Sequence, residues 1–410
     1  MNPNITANQQ RRFLEFFTRL HSHVGQDSSL PRRIKEMLSR DRAIGSRDRR
    51  LYRELIYTAV RFLPWVQLLL DTDPTTAARV VAWLAPELKD TLAYRAALLG
   101  DWPIAPTTLA DKAALLNSLV VGHRFVTEDL LPSWFREHCP EAFVPPHLNA
   151  MNARANLWMR LQVDDRAHVL AEFAGKGWMP FIPGELPDAV CLPPNAEVAA
   201  TDAYRRGFCE IQDLGSQLVL LQAPITPGQL WLDACAGAGG KTLQLARLVG
   251  DTGRVDATDI RPQMLTELTE RATRARLDNV RIVRTPETLY DGVLVDAPCS
   301  GTGTWRRMPH MKWYTQPAML AEFAADQLTI LHENAARVRP GGLLVYATCS
   351  LSHVENHDVV AAFLAQHAEF SAEAPARDWG AVSDGLGHTL LPGTRNSDGF
   401  YVALLQRRST

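Results

Sequence analysis

The chain has 410 residues, 46% of them hydrophobic and 21% charged, with a formal net charge of −2. That length exceeds what one compact core serves and predicts two or three domains. The near-neutral balance excludes a globally basic nucleic-acid binder and leaves any such contact to a local patch. Residues 1–62 carry 13 Lys and Arg against 6 Asp and Glu, so a basic patch opens the chain and the remainder is acidic.

From Arg11 to about Leu131, apolar residues recur at helical spacing, as in Leu51, Leu55, Ile56, Ala59 and Val60. This predicts an all-α domain over 1–145. Its cations Arg32, Arg33, Lys35, Arg40, Arg42, Arg47, Arg49, Arg50 and Arg53 suit phosphate contacts or a solvated face. Pro132, Pro140, Pro145 and Pro146 break the helical pattern and suggest a boundary. A small α+β unit is expected over 146–225, from a strand "LWMRLQV", a helix "DRAHVLAEFAGKG" ending at glycine, and a strand "AVCLP", a βαβ pattern.

Over 226–410, apolar strands alternate with helical stretches, the pattern of a doubly wound parallel sheet. "LWLDACAGAGGKTLQLARLVG" reads as strand, glycine turn and helix, "RVDATDI" as a strand ending in an acid, and "DGVLVDAPCS" as another strand. "RPGGLLVYATCSL" reads as a hairpin-like turn into a further strand that ends at a cysteine.

Small residues in "CAGAGGKT" allow a tight turn on which a ligand lies against the backbone. Asp259, 20 residues after Gly239, is placed to accept hydrogen bonds from a ribose diol. An adenosine-containing cofactor follows, with NAD, a nucleotide and S-adenosylmethionine all open at this point. The P-loop spacing fails, because Gly237 and Gly240 are too close.

The six cysteines, Cys139, Cys191, Cys209, Cys235, Cys299 and Cys349, form neither a zinc pattern nor C-x-x-C. No metal is expected. The absence of an uncharged apolar run near about 18 residues argues against a membrane span. A cytoplasmic chain with reduced thiols is therefore expected. Cys139, Cys191 and Cys209 read as small buried hydrophobes, and Cys235 as packing beside the cofactor.

Cys299 and Cys349 each follow an apolar strand. In open α/β sheets, ligands bind outside the carboxyl ends of the strands. If the two strands are neighbours, both thiols and Asp296 face one pocket. Two thiols and a carboxylate suit covalent catalysis rather than hydride transfer. A thiolate added at C6 of a pyrimidine makes C5 nucleophilic toward a methyl group. Asp296 is suited to hold N3, and a second group must help remove the C5 proton so that the thiol leaves.

At these residues the sequence resembles the Nop/Sun family of RNA cytosine-5 methyltransferases, which use S-adenosylmethionine. "DACAGAGGKT" is similar to the family's cofactor loop, "DAPCSGTG" to its fourth motif and "ATCS" to its sixth. The resemblance implies a C-terminal α/β Rossmann-like methyltransferase domain. Within it Cys349 attacks C6, Cys299 assists product release, Asp296 contacts the base, and Lys241 lies near nucleophile and cofactor. It implies a cofactor site of Asp233, Cys235, Ala236, Gly237, Ala238, Gly239, Gly240, Lys241, Asp259, Arg261 and Asp296.

"LWMRLQ" resembles the start of the family's RNA-binding unit, and "CEIQDLGSQLV" the segment before the catalytic domain. "RDRRLYRELIYTAVRF" looks like the NusB-like extension of the bacterial ribosomal RNA methyltransferase B group. A monomer acting on small-subunit (16S) ribosomal RNA is the expectation, and a catalytically weak RNA-binding scaffold the alternative. Trp305, Trp313 and Tyr314 follow the fourth motif, to stack on an extruded base or to pack in a core.

Four departures stand out. Ala238 replaces the usual proline, His310 the usual acid of P-D/E-x-x-W, and Gln162 the usual asparagine. "RIVRTPETLYDG" lacks the aspartate expected near the adenine, leaving Glu287 or a backbone carbonyl to substitute.

Overall fold

The computed structural model describes residues 3–286 and 289–409. They divide into two compact units, one of residues 1–154 with 305–316 and one of residues 155–304 with 317–410.

The first unit is all-α. Its helix Ser46–Arg61 buries Leu51, Leu55, Ile56, Ala59 and Val60, the stripe that the helical spacing predicts. The expected division places a boundary at 145, but here the helical unit continues through the helix Pro145–Met151 to Arg154. Pro145 and Pro146 occupy the first turn of that helix, where a missing amide costs nothing, so they start an element rather than end a domain.

The unit also takes in residues 305–316, which follow the fourth motif in the chain. Trp305 is buried against Phe135, with ring centroids 4.7 Å apart. Lys312 Nζ donates to the carbonyl of Arg61 and to Asn152 Oδ1, both at 2.8 Å, and Trp313 Nε1 donates to the carbonyl of Val60 at 2.7 Å. His310 is buried with Nε2 3.2 Å from the carbonyl of Ser28. A carboxylate there would be desolvated beside a carbonyl oxygen, whereas an imidazole can donate to it.

In the second unit, strands β1 (Leu157–Leu161), β2 (Ala189–Leu192) and β3 (Cys209–Ile211) form a small sheet in the order β2-β1-β3. All its pairings are antiparallel, so the β1-helix-β2 run is not a parallel crossover as the βαβ reading suggests. The helix Arg166–Gly175 packs Val169 and Phe173 on Met159, Leu161, Val190 and Leu192. Gln162, buried, accepts from Arg160 Nη2 at 2.9 Å and donates to the carbonyl of Gly207 at 3.2 Å.

The remaining strands are β4 (Leu230–Asp233), β5 (Arg254–Ala257), β6 (Val280–Ile282), β7 (Tyr290–Asp296), β8 (Val338–Thr348), β9 (Phe370–Glu373), β10 (Val382–Ser383), β11 (His388–Leu390) and β12 (Phe400–Arg407). They form one sheet of order β10-β11-β12-β8-β7-β4-β5-β6, with β9 also pairing β12. The run from β6 to β8 is parallel, and β12 is antiparallel to β8. On β7, Val293 and Val295 enter one core with Leu344 and Tyr346, while Leu294 enters the opposite core with Val345. Burial on both faces explains why these strands read as unbroken apolar runs. The "RPGG" stretch is not a hairpin turn but a bulge inside β8, where the register shifts between Tyr290 and Gly292.

Candidate active site

Strand β4 ends at Asp233 and the chain turns through residues 234–239 into the helix Gly240–Val249. Gly239 has φ +90°, and a Cβ there would lie 2.7 Å from Leu268 Cγ, so only glycine permits this turn. A Cβ on Gly240 would meet nothing within 4 Å, so packing does not demand glycine there. Asp259 lies just beyond β5. Its carboxylate accepts from the Gly237 amide at 2.8 Å, from the Arg261 amide at 2.8 Å and from Arg261 Nε at 3.0 Å. Burial pushes this carboxyl up, but the bonds from Arg261 and the two amides outweigh it and hold it below its ordinary range.

The loop is anchored from behind. Arg271 Nη1 donates to the Ala238 carbonyl at 2.6 Å, and its Nη2 pairs with Glu210 at 2.9 Å. Glu210 is buried and also pairs with Arg274. Ala238, in place of proline, therefore leaves the turn held by a side chain from the neighbouring helix Pro262–Ala275. Ala236 is buried and donates its amide to the Thr258 carbonyl at 3.0 Å. Burial raises the thiol pKa of Cys235.

The candidate reactive groups gather at the ends of β4, β7 and β8. Thr242 Oγ1 donates to Asp233 at 2.7 Å, and burial pushes the Asp233 carboxyl up to about 7. Lys241 Nζ reaches across to Asp296 at the end of β7, at 2.8 Å, and lies 4.9 Å from the centroid of Phe400. Strands β7 and β8 are parallel neighbours. That is the condition for a shared thiol pocket, and Cys299 Sγ and Cys349 Sγ stand 3.3 Å apart. Cys299 has its pKa raised well above the ordinary thiol value by the hydrogen bond to Cys349, by burial and by the nearby charges of Cys349 and Glu355.

The structure thus brings together Asp233, Lys241, Asp296, Cys299 and Cys349, with Asp259 and Arg261 at the next strand end. Trp305 lies in the all-α unit as core packing, and Trp313 is hydrogen-bonded there. Glu287 falls outside the described residues. Cys139 and Cys209 are buried, as expected of small hydrophobes, whereas Cys191 is only partly buried. Among the described residues no group of three or more His, Cys, Asp or Glu is arranged to hold a metal ion, and no helix is long and apolar enough to cross a membrane.

Sequence reasoning missed Glu210 and Arg271 behind the glycine turn, and Glu355, a buried carboxylate six residues after Cys349. The visible signal for Glu355 is slight, an acid six residues after Cys349 within the polar stretch "SHVENHD".

The model of the family described as 16S rRNA methyltransferase RsmB/F matches residues 219–406. The ribosomal RNA small subunit methyltransferase B of Yersinia enterocolitica is 30% identical over 404 residues, covering 90% of this chain and 92% of that protein. The enzyme of the same name from Vibrio vulnificus is 32% identical over 292 residues, covering 68% and 67%. Among solved structures, PH0851 superposes with a TM-score of 0.70 at 20% identity over 99% of both chains. NSun6 from Pyrococcus horikoshii with SFG gives a TM-score of 0.60 at 17% identity, over 67% of this chain and 98% of that one. At such identities the two structures speak for a shared fold.

Proposed function

The chain belongs to the RsmB/F family of 16S rRNA methyltransferases and uses S-adenosylmethionine, and on that footing we propose that it methylates C5 of a cytosine in small-subunit ribosomal RNA through a covalent Cys349 adduct. The observation that carries this reading is the pair of thiols 3.3 Å apart at adjacent strand ends, beside the Lys241–Asp296 ion pair.

The open glycine turn with Asp233 and Lys241, together with Asp259 and Arg261, fits the cofactor. The first amides of the helix Gly240–Val249 suit its carboxylate, and Asp259 suits its ribose diol. When bound, S-adenosylmethionine supplies the electrophilic methyl group. Cys349 Sγ adds to C6 of the cytosine, and C5 becomes the nucleophile. As Cys349 adds, Asp296, positioned by Lys241, donates a proton to N3 and so neutralises the charge developing on the ring, and it takes that proton back on release. After transfer Cys299 Sγ, acting as base, takes the C5 proton, the C5–H electron pair re-forms the C5–C6 double bond, and the bond from C6 to Cys349 breaks to release its thiolate.

The all-α unit is suited to RNA as a NusB-like element. A groove between the helices Leu30–Arg40 and Ser46–Arg61 is lined by Lys35, Arg49, Arg50, Arg53 and Tyr57, with no acid among its lining residues. The small sheet of the second unit is the second RNA-contacting element, and the working form is a monomer in the cytoplasm.

The test is substitution of each thiol. Cys349→Ala abolishes methyl transfer to ribosomal RNA while calorimetry still detects S-adenosylmethionine. Cys299→Ala accumulates a protein–RNA adduct on a denaturing gel. Wild-type turnover in Cys349→Ala rules the covalent route out.

A further inference from the structure

Glu355 is fully buried, in the short turn His353–Glu355 that follows the sixth motif. Its carboxylate accepts from the Ser300 amide at 2.8 Å, from the Ser300 hydroxyl, from Ser350 Oγ at 2.6 Å and from Gln327 Nε2 at 3.1 Å. Ser300 directly follows Cys299 and Ser350 directly follows Cys349. One carboxylate therefore joins both loops, each at the residue next to a thiol. The clamp is itself held, since Gln327 Nε2 also donates to the Pro298 carbonyl at 2.9 Å. Tyr346 Oη donates to the Glu355 carbonyl at 2.6 Å and to Gln327 Oε1 at 3.0 Å.

A buried carboxylate is expensive unless its lone pairs are filled, and here four donors fill them, all on or behind the two loops. A fold that needed only to join these loops has apolar packing at lower desolvation cost. We infer that Glu355 is a positioning residue that clamps the Cys299 loop to the Cys349 loop and so sets the distance between the two thiols. The negative charge of Glu355 also opposes ionisation of Cys299. The inference rests on the two-thiol reading for its catalytic consequence, but the clamp itself is a statement about geometry.

The experiment measures how fast the two thiols join when the full-length protein is treated with diamide. Each closure removes two electrons and two protons from the thiols and reduces diamide to the hydrazine. Peptide mass spectrometry identifies the Cys299–Cys349 link. Glu355→Asp keeps the charge but loses the reach of one methylene, and Glu355→Gln keeps the reach but loses the charge. Closure is expected to slow at least roughly tenfold in Glu355→Asp and by less than about threefold in Glu355→Gln. In Glu355→Asp kcat falls by roughly a hundredfold with KM for RNA unchanged, the pattern of misplaced reacting groups.

Ser350→Ala is the milder companion. It removes one link and slows closure by several-fold. Wild-type closure in both Glu355→Asp and Ser350→Ala overturns the clamp, as does a loss confined to KM. Because closure needs no RNA, active Cys349→Ala would sink the covalent route and leave this result standing. Normal closure in the variants would sink the clamp and leave the covalent route standing.

Discussion

The amide of Gly303 donates to the carbonyl of Cys349 at 2.9 Å, so the fourth motif is hydrogen-bonded directly to the residue proposed as nucleophile. The same glycine accepts from the Gly399 amide at 2.9 Å, and the three backbones pass with no room for a side chain. A Cβ on Gly303 would lie 2.3 Å from the Gly399 carbonyl oxygen and 2.8 Å from that of Cys349.

Gly303→Ala should therefore push the two loops apart. The expected cost is about 1–3 kcal/mol of stability, typical of overpacking against backbone. A fall in kcat should accompany it, larger than the stability loss explains, because Cys349 itself moves. Thermal melting and single-turnover methylation check this. An unchanged melting temperature would show that the close approach is not needed.

Asp233 provides a pH test. Burial raises its carboxyl to about 7 in the fold, against roughly 3.9 for an unfolded aspartate. Between those values the folded state holds more protons than the unfolded one, so stability from this group falls as pH rises through the window. Asp233→Asn imitates the protonated carboxyl and can still accept from Thr242. Melting curves at pH 5 and pH 8 should show the variant gaining on the wild type at the higher pH, by an amount of order a few kcal/mol. A constant difference between the two pH values would refute the raised carboxyl.

Arg271 ties the glycine turn proposed to hold the cofactor to the rest of the fold through the Ala238 carbonyl and Glu210. Arg271→Ala removes a charge-assisted bond worth about 1.5–3 kcal/mol, so the Kd for S-adenosylmethionine should rise roughly tenfold or more. Arg271→Lys should not rescue it, since one ammonium cannot replace a fork that serves two partners. Isothermal calorimetry decides the matter, and an unchanged Kd in Arg271→Ala would mean that the turn holds its shape unaided.

The strand ends were legible before any coordinates because chemistry leaves residue types that packing does not explain. Asp296, Cys299 and Cys349 follow apolar runs, and the glycine turn precedes an acid at the spacing a ribose diol needs. The parallel sheet was legible for a related reason, since strands buried on both faces must be apolar throughout. Less was legible where the sequence signal is ambiguous. Trp305 and Trp313 looked equally suited to a base or a core, and only folding showed Trp305 packed on Phe135. The prolines near 145 looked like a boundary, yet they open a helix of the first unit.

What the sequence determined by itself is a set of candidate groups at strand ends and their order along the chain, because local hydrophobic pattern and residue type suffice for both. Tertiary structure alone decided that β7 and β8 are neighbours, bringing the two thiols to 3.3 Å. It also decided that Glu355 joins both loops and that Arg271 braces the turn. Those relationships depend on pairings between residues distant in the chain, and the cost of burying their charges is met only once the partners have come together.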